Sequence, residues 1–134
     1  MYLLDTDIMI YSLKGNPIVI ENFKYHSKDP KALSVITYGE LIYGANKSEQ
    51  SAKNLAKIHR IRETYPVIDL TCAIMDTYGM LKNELNRRGT PLDDFDLLIA
   101  STAMTLDYCV ITNNEKHFKK IQGLQLENWS QKTH

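Results

Sequence analysis

The chain has 134 residues, 43% of them hydrophobic and 24% charged, and its formal net charge is zero. This length fits a single domain at residues 1–134 that buries a core without disulfides, and the ordinary composition argues against a disordered or low-complexity chain. The zero net charge excludes the strong overall field of a basic nucleic-acid-binding protein, so any contact with nucleic acid must come from local patches.

Short apolar runs alternate with helical patterns along the chain. The predicted strands are residues 2–4, 32–36, 67–70 and 109–112, with an edge strand at 124–126. The predicted helices are residues 7–14, 17–27, a helix capped by Thr37 that ends near Gly44, 48–63, a helix capped by Thr71 that closes at Gly89, 94–106 and 115–119. Strands separated by helices favour right-handed crossovers, so the predicted fold class is α/β, a central parallel sheet of about four to five strands flanked by helices.

Two features argue against export and membrane insertion. Asp5 interrupts any apolar region of a signal peptide at the N-terminus. The longest apolar stretch, at residues 97–106, is too short to span a bilayer. We therefore expect a cytoplasmic protein with no membrane partner.

Acidic or amide side chains occur beside the predicted strands. Asp5 follows the first strand, Glu40 comes shortly after the second, Asp96 lies in the first turn of the apolar helix, and Asn114 follows the fourth strand. The carboxyl ends of parallel strands converge on one crevice, so these side chains are expected to meet. Any single carboxylate is more often a surface or capping residue. The joint pattern, however, is typical of a site for Mg2+ or Mn2+, whose charge offsets the repulsion between carboxylates.

A basic segment at residues 47–62 breaks the even distribution of charge. It carries five Lys or Arg side chains against Glu49 alone. A solvated helix face explains such a run, and contact with phosphate is the alternative if the acidic crevice acts on a phosphodiester.

Four segments, taken in order, carry a resemblance to a known family. They are residues 3–8 (LLDTDI), 34–44 (SVITYGELIYG), 89–100 (GTPLDDFDLLIA) and 110–118 (VITNNEKHF). In this order and spacing they resemble the motifs of PIN-domain ribonucleases, and within that superfamily the chain is most similar to the VapC toxins of bacterial toxin–antitoxin pairs. The resemblance implies a PIN-like fold and a metal-dependent endoribonuclease that hydrolyses RNA. It also implies a VapB-type antitoxin as partner, a homodimer, and higher-order toxin–antitoxin complexes.

The resemblance also assigns site residues. Asp5, Glu40 and Asp96 stand at the positions of the catalytic, metal-binding acids. The fourth acidic position of many PIN domains is Asn114 here, and a neutral amide binds a metal weakly or positions a water or a phosphate oxygen. Asp7 stands where the family commonly has Asn, and Asp94 adds a carboxylate two residues before Asp96, so either one is a candidate to restore the missing charge. The supporting residues are Asn114, Thr6, Asp7 and Thr112.

Three basic residues near predicted helix ends are candidate contacts for the RNA backbone, with solvated surface as the alternative for each: Lys14, Arg87 and Arg88. The four histidines lack metal-binding spacing with one another. Surface or capping roles are expected for them.

Two other functions are compatible with parts of the chain. Asp5 and Asp7 after a strand suggest a phosphatase of the haloacid dehalogenase type, with an aspartyl nucleophile. Against this, the pair Asp93-Asp94 precedes the threonine motif at 110–113 instead of following it, and Met9 stands where Thr or Val is expected. The other function is that of a PIN-like binding module whose catalytic site is degenerate. Asn114, a neutral residue at the fourth acidic position, is the feature that supports this alternative.

Overall fold

The computed structural model describes residues 1–132, and residues 133 and 134, the end of the predicted domain, lie outside the described residues. Within this range the strands are β1 (Tyr2–Leu4), β2 (Lys31–Ser34), β3 (Val67–Ile68), β4 (Cys109–Ile111) and β5 (Leu126–Glu127). The helices of the same range are α1 (Thr6–Leu13), α2 (Pro17–Tyr25), α3 (Val35–Lys47), α4 (Ser51–Thr64), α5 (Cys72–Arg87), α6 (Asp94–Leu106) and α7 (Glu115–Phe118). No helix in this range is both long and apolar enough to cross a membrane.

The five strands of the described chain form one parallel sheet in the order β3-β2-β1-β4-β5. β1 is central and pairs with β2 and β4, so that Leu3 lies opposite Ala32 on one side and Val110 on the other. The predicted fold class, α/β with a parallel sheet of about four to five strands, is confirmed. Because all strands run the same way, their carboxyl ends share one edge of the sheet.

Alternate strand residues supply two cores, one on each face of the sheet. Leu3 and Val110 face the core that is shared with α5 and α6. Leu4 and Ile111 face the opposite core, which α1, α2, α3 and α4 cover. Since neighbouring side chains of a strand point to opposite faces, strands covered on both sides read as continuous apolar runs.

The boundary between the second strand and the helix after it differs from the prediction. The strand ends at Ser34 and not at residue 36. Ser34 Oγ accepts a hydrogen bond from the backbone N–H of Ile36 at 3.1 Å, so Ser34 is the N-cap of α3. The prediction that Thr37 caps this helix is wrong, because Thr37 is buried inside it. Val35 and Ile36 favour a strand by their branched side chains, but the cap overrides that preference.

α3 also runs further than predicted, past Gly44 to Lys47. Its buried residues Thr37, Leu41 and Ala45 recur every four positions and lie on one face. Packing of this face stabilises the helix through a glycine that local propensity alone would treat as an end.

The other boundaries lie within three residues of the prediction, although α2 ends at Tyr25 instead of residue 27 and α4 begins at Ser51 instead of residue 48. The Oγ1 atom of Thr71 accepts a hydrogen bond from the backbone N–H of Ile74 at 3.2 Å, which confirms the predicted N-cap of α5. Gly89, just after α5, has a φ of +72°, a conformation that glycine adopts without strain. α6 has the predicted bounds. The edge strands differ slightly from prediction: β3 ends at Ile68 instead of residue 70, and β5 is Leu126–Glu127 instead of 124–126.

Candidate functional site

Asp5 lies at the carboxyl end of the central strand and caps α1. Its backbone N–H donates to the carbonyl of Ile111 at 2.9 Å, which holds it against β4. Its Oδ1 accepts a hydrogen bond from the backbone N–H of Thr6 at 2.8 Å, and its Oδ2 accepts one from Oγ1 of Thr112 at 2.8 Å. Only 6% of Asp5 is exposed. The carboxylate is therefore held firmly at the edge of the sheet where the strand ends converge.

Burial and neighbouring charges alter the acidity of Asp5. Burial first, and then the charge of Asp7, raises the pKa of Asp5 from 3.8 to about 7. The charge of Asp96 acts in the same direction, while hydrogen bonds from Thr112 and Thr6 oppose the rise. A cation placed among these groups would stabilise the ionised form of Asp5.

Glu40 reaches the first turn of α1 because α3 packs against that helix. The Oγ1 atom of Thr6 donates a hydrogen bond to Oε1 of Glu40 at 2.6 Å. The same hydroxyl lies 3.4 Å from Oγ1 of Thr37. Thr6 thus connects Asp5, its neighbour in the chain, with a carboxylate on another helix.

Asp7 lies in the first turn of α1 and faces the segment that follows β4. Its Oδ1 accepts a hydrogen bond from the backbone N–H of Ile8 at 2.7 Å, and its Oδ2 accepts one from the backbone N–H of Asn113 at 3.1 Å. Burial raises the pKa of Asp7, and the charge of Asp96 adds to the rise. Asp7 is therefore electrostatically coupled to two of the predicted site residues.

Asp96 is the third residue of α6, and 21% of its side chain is exposed. Its Oδ2 lies 3.4 Å from Nδ1 of His117 on α7. Burial raises the pKa of Asp96, the charge of Asp93 adds to the rise, and the contact with His117 opposes it. The structure thus brings Asp96 within electrostatic range of Asp5 and Asp7.

Asn114 begins the short helix α7 beside the site. Its backbone N–H donates to Oγ1 of Thr112 at 2.9 Å, and its side-chain Nδ2 lies 2.7 Å from Nδ1 of His117. His117 is exposed, as expected of a surface histidine, but it also contacts both Asn114 and Asp96, which was not predicted from the sequence. The available signal was the spacing Asn-x-x-His after the last large strand, which puts both residues on one side of a helical turn.

Asp94 is engaged by a different helix. Its Oδ1 accepts hydrogen bonds from the hydroxyl of Tyr78 at 2.8 Å and from Nζ of Lys82 at 2.9 Å, both on α5. Lys82 and Tyr78 lower the pKa of Asp94, in contrast to the raised values of Asp5 and Asp96. These contacts make Asp94 a link between α5 and α6, and they give no support to the expectation that it adds a carboxylate to the site.

The candidate RNA contacts lie at the C-terminal ends of two different helices. Lys14 is the C-cap of α1, roughly 13 Å along the helix from Asp5 at its start. Arg87 and Arg88 end α5, and Arg88 donates a hydrogen bond from Nη2 to the carbonyl of Lys120 at 3.1 Å, just after α7. Lys14 thus lies at the far end of the helix that Asp5 caps, and Arg88 is held against the segment that follows α7.

The donor chemistry of the site fits a hard divalent cation. Asp5, Glu40 and Asp96 offer carboxylate oxygens from three parts of the fold, and a cation would offset the repulsion that raises the pKa values of Asp5 and Asp7. Within residues 1–132, no three His, Cys, Asp or Glu side chains yet lie close enough together to enclose an ion. The fit of the site to a cation therefore depends on its donor atoms, which are carboxylate oxygens, and on the negative charge that these residues share.

Comparison with known proteins places the chain in a family. The PIN domain family matches residues 2–124. The tRNA(fMet)-specific endonuclease VapC of Shigella flexneri is 34% identical over 129 residues, which cover 96% of this chain and 98% of that relative. Ribonuclease VapC2 of Rickettsia felis is 36% identical over 131 residues, with coverage of 96% and 98%. The similarity thus extends over nearly the whole length of each protein.

Solved structures agree with the sequence matches. VapBC2 from Rickettsia felis, bound to a DNA fragment from its promoter, contains a chain that superposes with a TM-score of 0.89 at 35% identity, covering 96% of this chain and 98% of that one. For VapBC-1 from nontypeable Haemophilus influenzae the TM-score is 0.87 at 34% identity, with coverage of 97% and 98%. The chain therefore belongs to the PIN-domain family and, within it, to the VapC ribonucleases.

Proposed function

We propose that this protein is the toxin of a type II toxin–antitoxin pair and that it cleaves RNA by hydrolysing phosphodiester bonds with Mg2+ or Mn2+. The observation that carries the proposal is Asp5, a buried carboxylate whose charge is coupled to Asp7 and Asp96 at the carboxyl edge of the sheet. The relatives are named as ribonucleases, which favours this function over a phosphatase of the haloacid dehalogenase type and over a degenerate binding module.

The carboxylates of the site are expected to bind the cation, and two threonines are expected to hold these carboxylates in place. Asp5, Glu40 and Asp96 would hold the cation, which when bound lowers the pKa of a water and offsets charge that develops on the phosphate. Thr112 holds the carboxylate of Asp5 through its hydroxyl, and Thr6 holds that of Glu40. Because these hydroxyls fix the carboxylates before substrate arrives, little reorganisation is needed during the reaction.

RNA is expected to approach over the edge that carries these residues. Arg87 and Arg88, at the end of α5, and Lys14, at the far end of α1, are the candidate contacts for its backbone. Contacts of this kind position the phosphate chain and carry no sequence information themselves.

The partner inferred for this chain is a VapB-type antitoxin, since the solved relatives are VapBC assemblies. We also infer a homodimer, which antitoxin would join into a larger complex. A basic side chain of the antitoxin, above all an Arg, suits the cluster because its planar fork engages two carboxylate oxygens at once. If a co-expressed antitoxin bound a variant lacking Asp5, Glu40 and Asp96 as tightly as it binds the wild type, this direct contact with the site would be wrong.

Cleavage of RNA by the purified chain tests the function. Wild type should cleave in Mg2+ or Mn2+ and lose activity in EDTA, whereas Asp5→Asn and Asp96→Asn should each cleave at least about 100-fold more slowly. Asp76→Asn removes an exposed carboxylate of α5 and is the matched control, with activity equal to wild type. Full cleavage by either site variant would contradict the assignment.

A further inference from the structure

The proposed cation site has three carboxylates, and its coordination would be strengthened by a fourth anionic donor. The sequence offers three candidates for such a donor: Asp7, Asp94 and Asn114. Their hydrogen bonds distinguish them. Asp94 accepts hydrogen bonds from Tyr78 and Lys82 on α5, which hold its carboxylate there. That leaves Asp7 and Asn114.

Asn114 is poorly suited to the role. Its side-chain amide lies 2.7 Å from the ring of His117, so its direction is set by that histidine. An amide oxygen is also neutral and cannot offset the charge of a cation. The contribution of Asn114 to the cluster comes from its backbone, whose N–H donates a hydrogen bond to Oγ1 of Thr112 at 2.9 Å.

Asp7, by contrast, shares its surroundings with Asp5. Consecutive residues after β4 hold the two carboxylates: Thr112 donates to Oδ2 of Asp5 at 2.8 Å, and Asn113 donates to Oδ2 of Asp7 at 3.1 Å. The second oxygen of each carboxylate accepts a backbone N–H of α1, from Thr6 and from Ile8. Since each carboxylate oxygen has two lone-pair directions, this arrangement leaves both oxygens of Asp7 able to accept another partner.

We propose that Asp7 is the fourth carboxylate of the cation site and that Asp94 and Asn114 are not ligands, an inference that rests on the proposed function. The contacts of the cluster support it, because Thr112 and Asn113, consecutive in the chain, hold the carboxylates of Asp5 and Asp7 side by side. Two partly buried carboxylates two residues apart repel each other, and a shared cation relieves that repulsion for both.

Calorimetric titration of Mn2+ into the whole chain tests the inference without relying on activity. Asp7→Asn should weaken Mn2+ binding about tenfold or more, since even the partners behind metal ligands are worth roughly 10–100-fold in affinity. Asp94→Asn makes the same chemical change on the α5 side and is the matched control, with affinity within about twofold of wild type. Asn114→Ala should likewise bind Mn2+ nearly as wild type does.

Circular dichroism and thermal melting establish that each variant is folded. If Asp7→Asn does not fold, Asp7→Ser takes its place, because a hydroxyl still accepts the hydrogen bond of Asn113 without adding charge. Mn2+ binding by the folded Asp7 variant within twofold of wild type, while Asp5→Asn loses it, would overturn the inference and leave the proposed function standing. A wild-type chain that binds no Mn2+ would overturn both.

Discussion

At the scale of single residues, the main feature of this protein is a carboxylate that folding makes unfavourable to ionise. Asp5 is almost fully buried, and the charges of Asp7 and Asp96 act on it. Two hydrogen bonds, from Thr6 and Thr112, offset only part of the resulting cost. The arrangement lowers the stability of the metal-free protein and at the same time forms a site that attracts cations.

The pKa of Asp5 predicts how stability depends on pH. Its folded value of about 7 lies above the ordinary 3.8, so its contribution to stability is fully present below pH 3.8 and is lost as the pH rises through about 7. Asp5→Asn cannot ionise, and in EDTA it should exceed wild type in free energy of unfolding at pH 8 by about 4 kcal/mol at most. At pH 4 the two proteins should converge.

Thermal melts in EDTA at the two pH values check this prediction. Asp76→Asn, which alters an exposed carboxylate, should follow wild type at both. A stability difference between wild type and Asp5→Asn that is the same at pH 4 and pH 8 would show that ionisation of Asp5 is not the cause.

At the scale of elements, α6 shows how an apolar helix accommodates polar side chains. Ser101 and Thr102 are fully buried inside it, and their hydroxyls donate to the carbonyls of Leu97 and Leu98, four residues earlier, at 2.6 Å and 2.8 Å. These bonds satisfy hydroxyls that would otherwise be buried without a partner. The helix then ends at Asp107, whose φ of +58° is left-handed.

One substitution at the end of α6 should increase the stability of the protein. Glycine adopts the left-handed conformation without the steric cost that a side chain pays, so Asp107→Gly should raise the free energy of unfolding by about 0.5–1 kcal/mol. Asp107→Ala is the matched control and should lower it by up to about 1 kcal/mol, since alanine keeps a side chain in the left-handed conformation and loses the hydrogen bond that Asp107 accepts from Gln125. Urea unfolding measures both, and equal effects of the two substitutions would contradict the explanation.

At the scale of the whole molecule, the segment after β5 holds distant parts of the chain together. Trp129 is fully buried, its ring stacks on His26 with centroids 4.4 Å apart, and its carbonyl accepts a hydrogen bond from Nδ2 of Asn22 at 3.0 Å. On the other side, Asn128 and Ser130 donate to Oδ1 of Asn113, beside the site, at 3.1 Å and 2.7 Å. The segment therefore couples α2 to the residues that hold Asp7.

Removal of the indole ring should destabilise the whole domain. Trp129→Ala is expected to lower the free energy of unfolding by about 3–5 kcal/mol, because it leaves a cavity between the sheet and α2. Trp129→Phe keeps an aromatic ring there and should cost clearly less. Urea denaturation followed by circular dichroism makes the comparison, and a loss below about 1 kcal/mol for Trp129→Ala would mean that the segment is not part of the cooperative core.

Local signals in the sequence were enough to determine the fold class and most elements. The apolar runs of β1 and β4, the cap at Thr71 and the bounds of α6 all depend on residues a few positions apart. For the same reason the positions of Asp5 and Glu40 after predicted strands, and of Asp96 in the first turn of a predicted helix, were visible in advance, and the motifs pointed to the PIN-domain family. Where two local signals competed, as Ser34 did with the branched Val35 and Ile36, the prediction took the wrong one.

Tertiary structure alone decided what each polar side chain of the site contacts. Asp7 and Asp94 are equally acidic neighbours of site residues in the sequence, yet Asp7 meets Asn113 after β4 while Asp94 meets Lys82 on α5. His117 approaches Asp96 only because α7 follows the strand that pairs with β1. These contacts join residues many positions apart, so they follow from how the helices pack on the sheet and not from any local pattern.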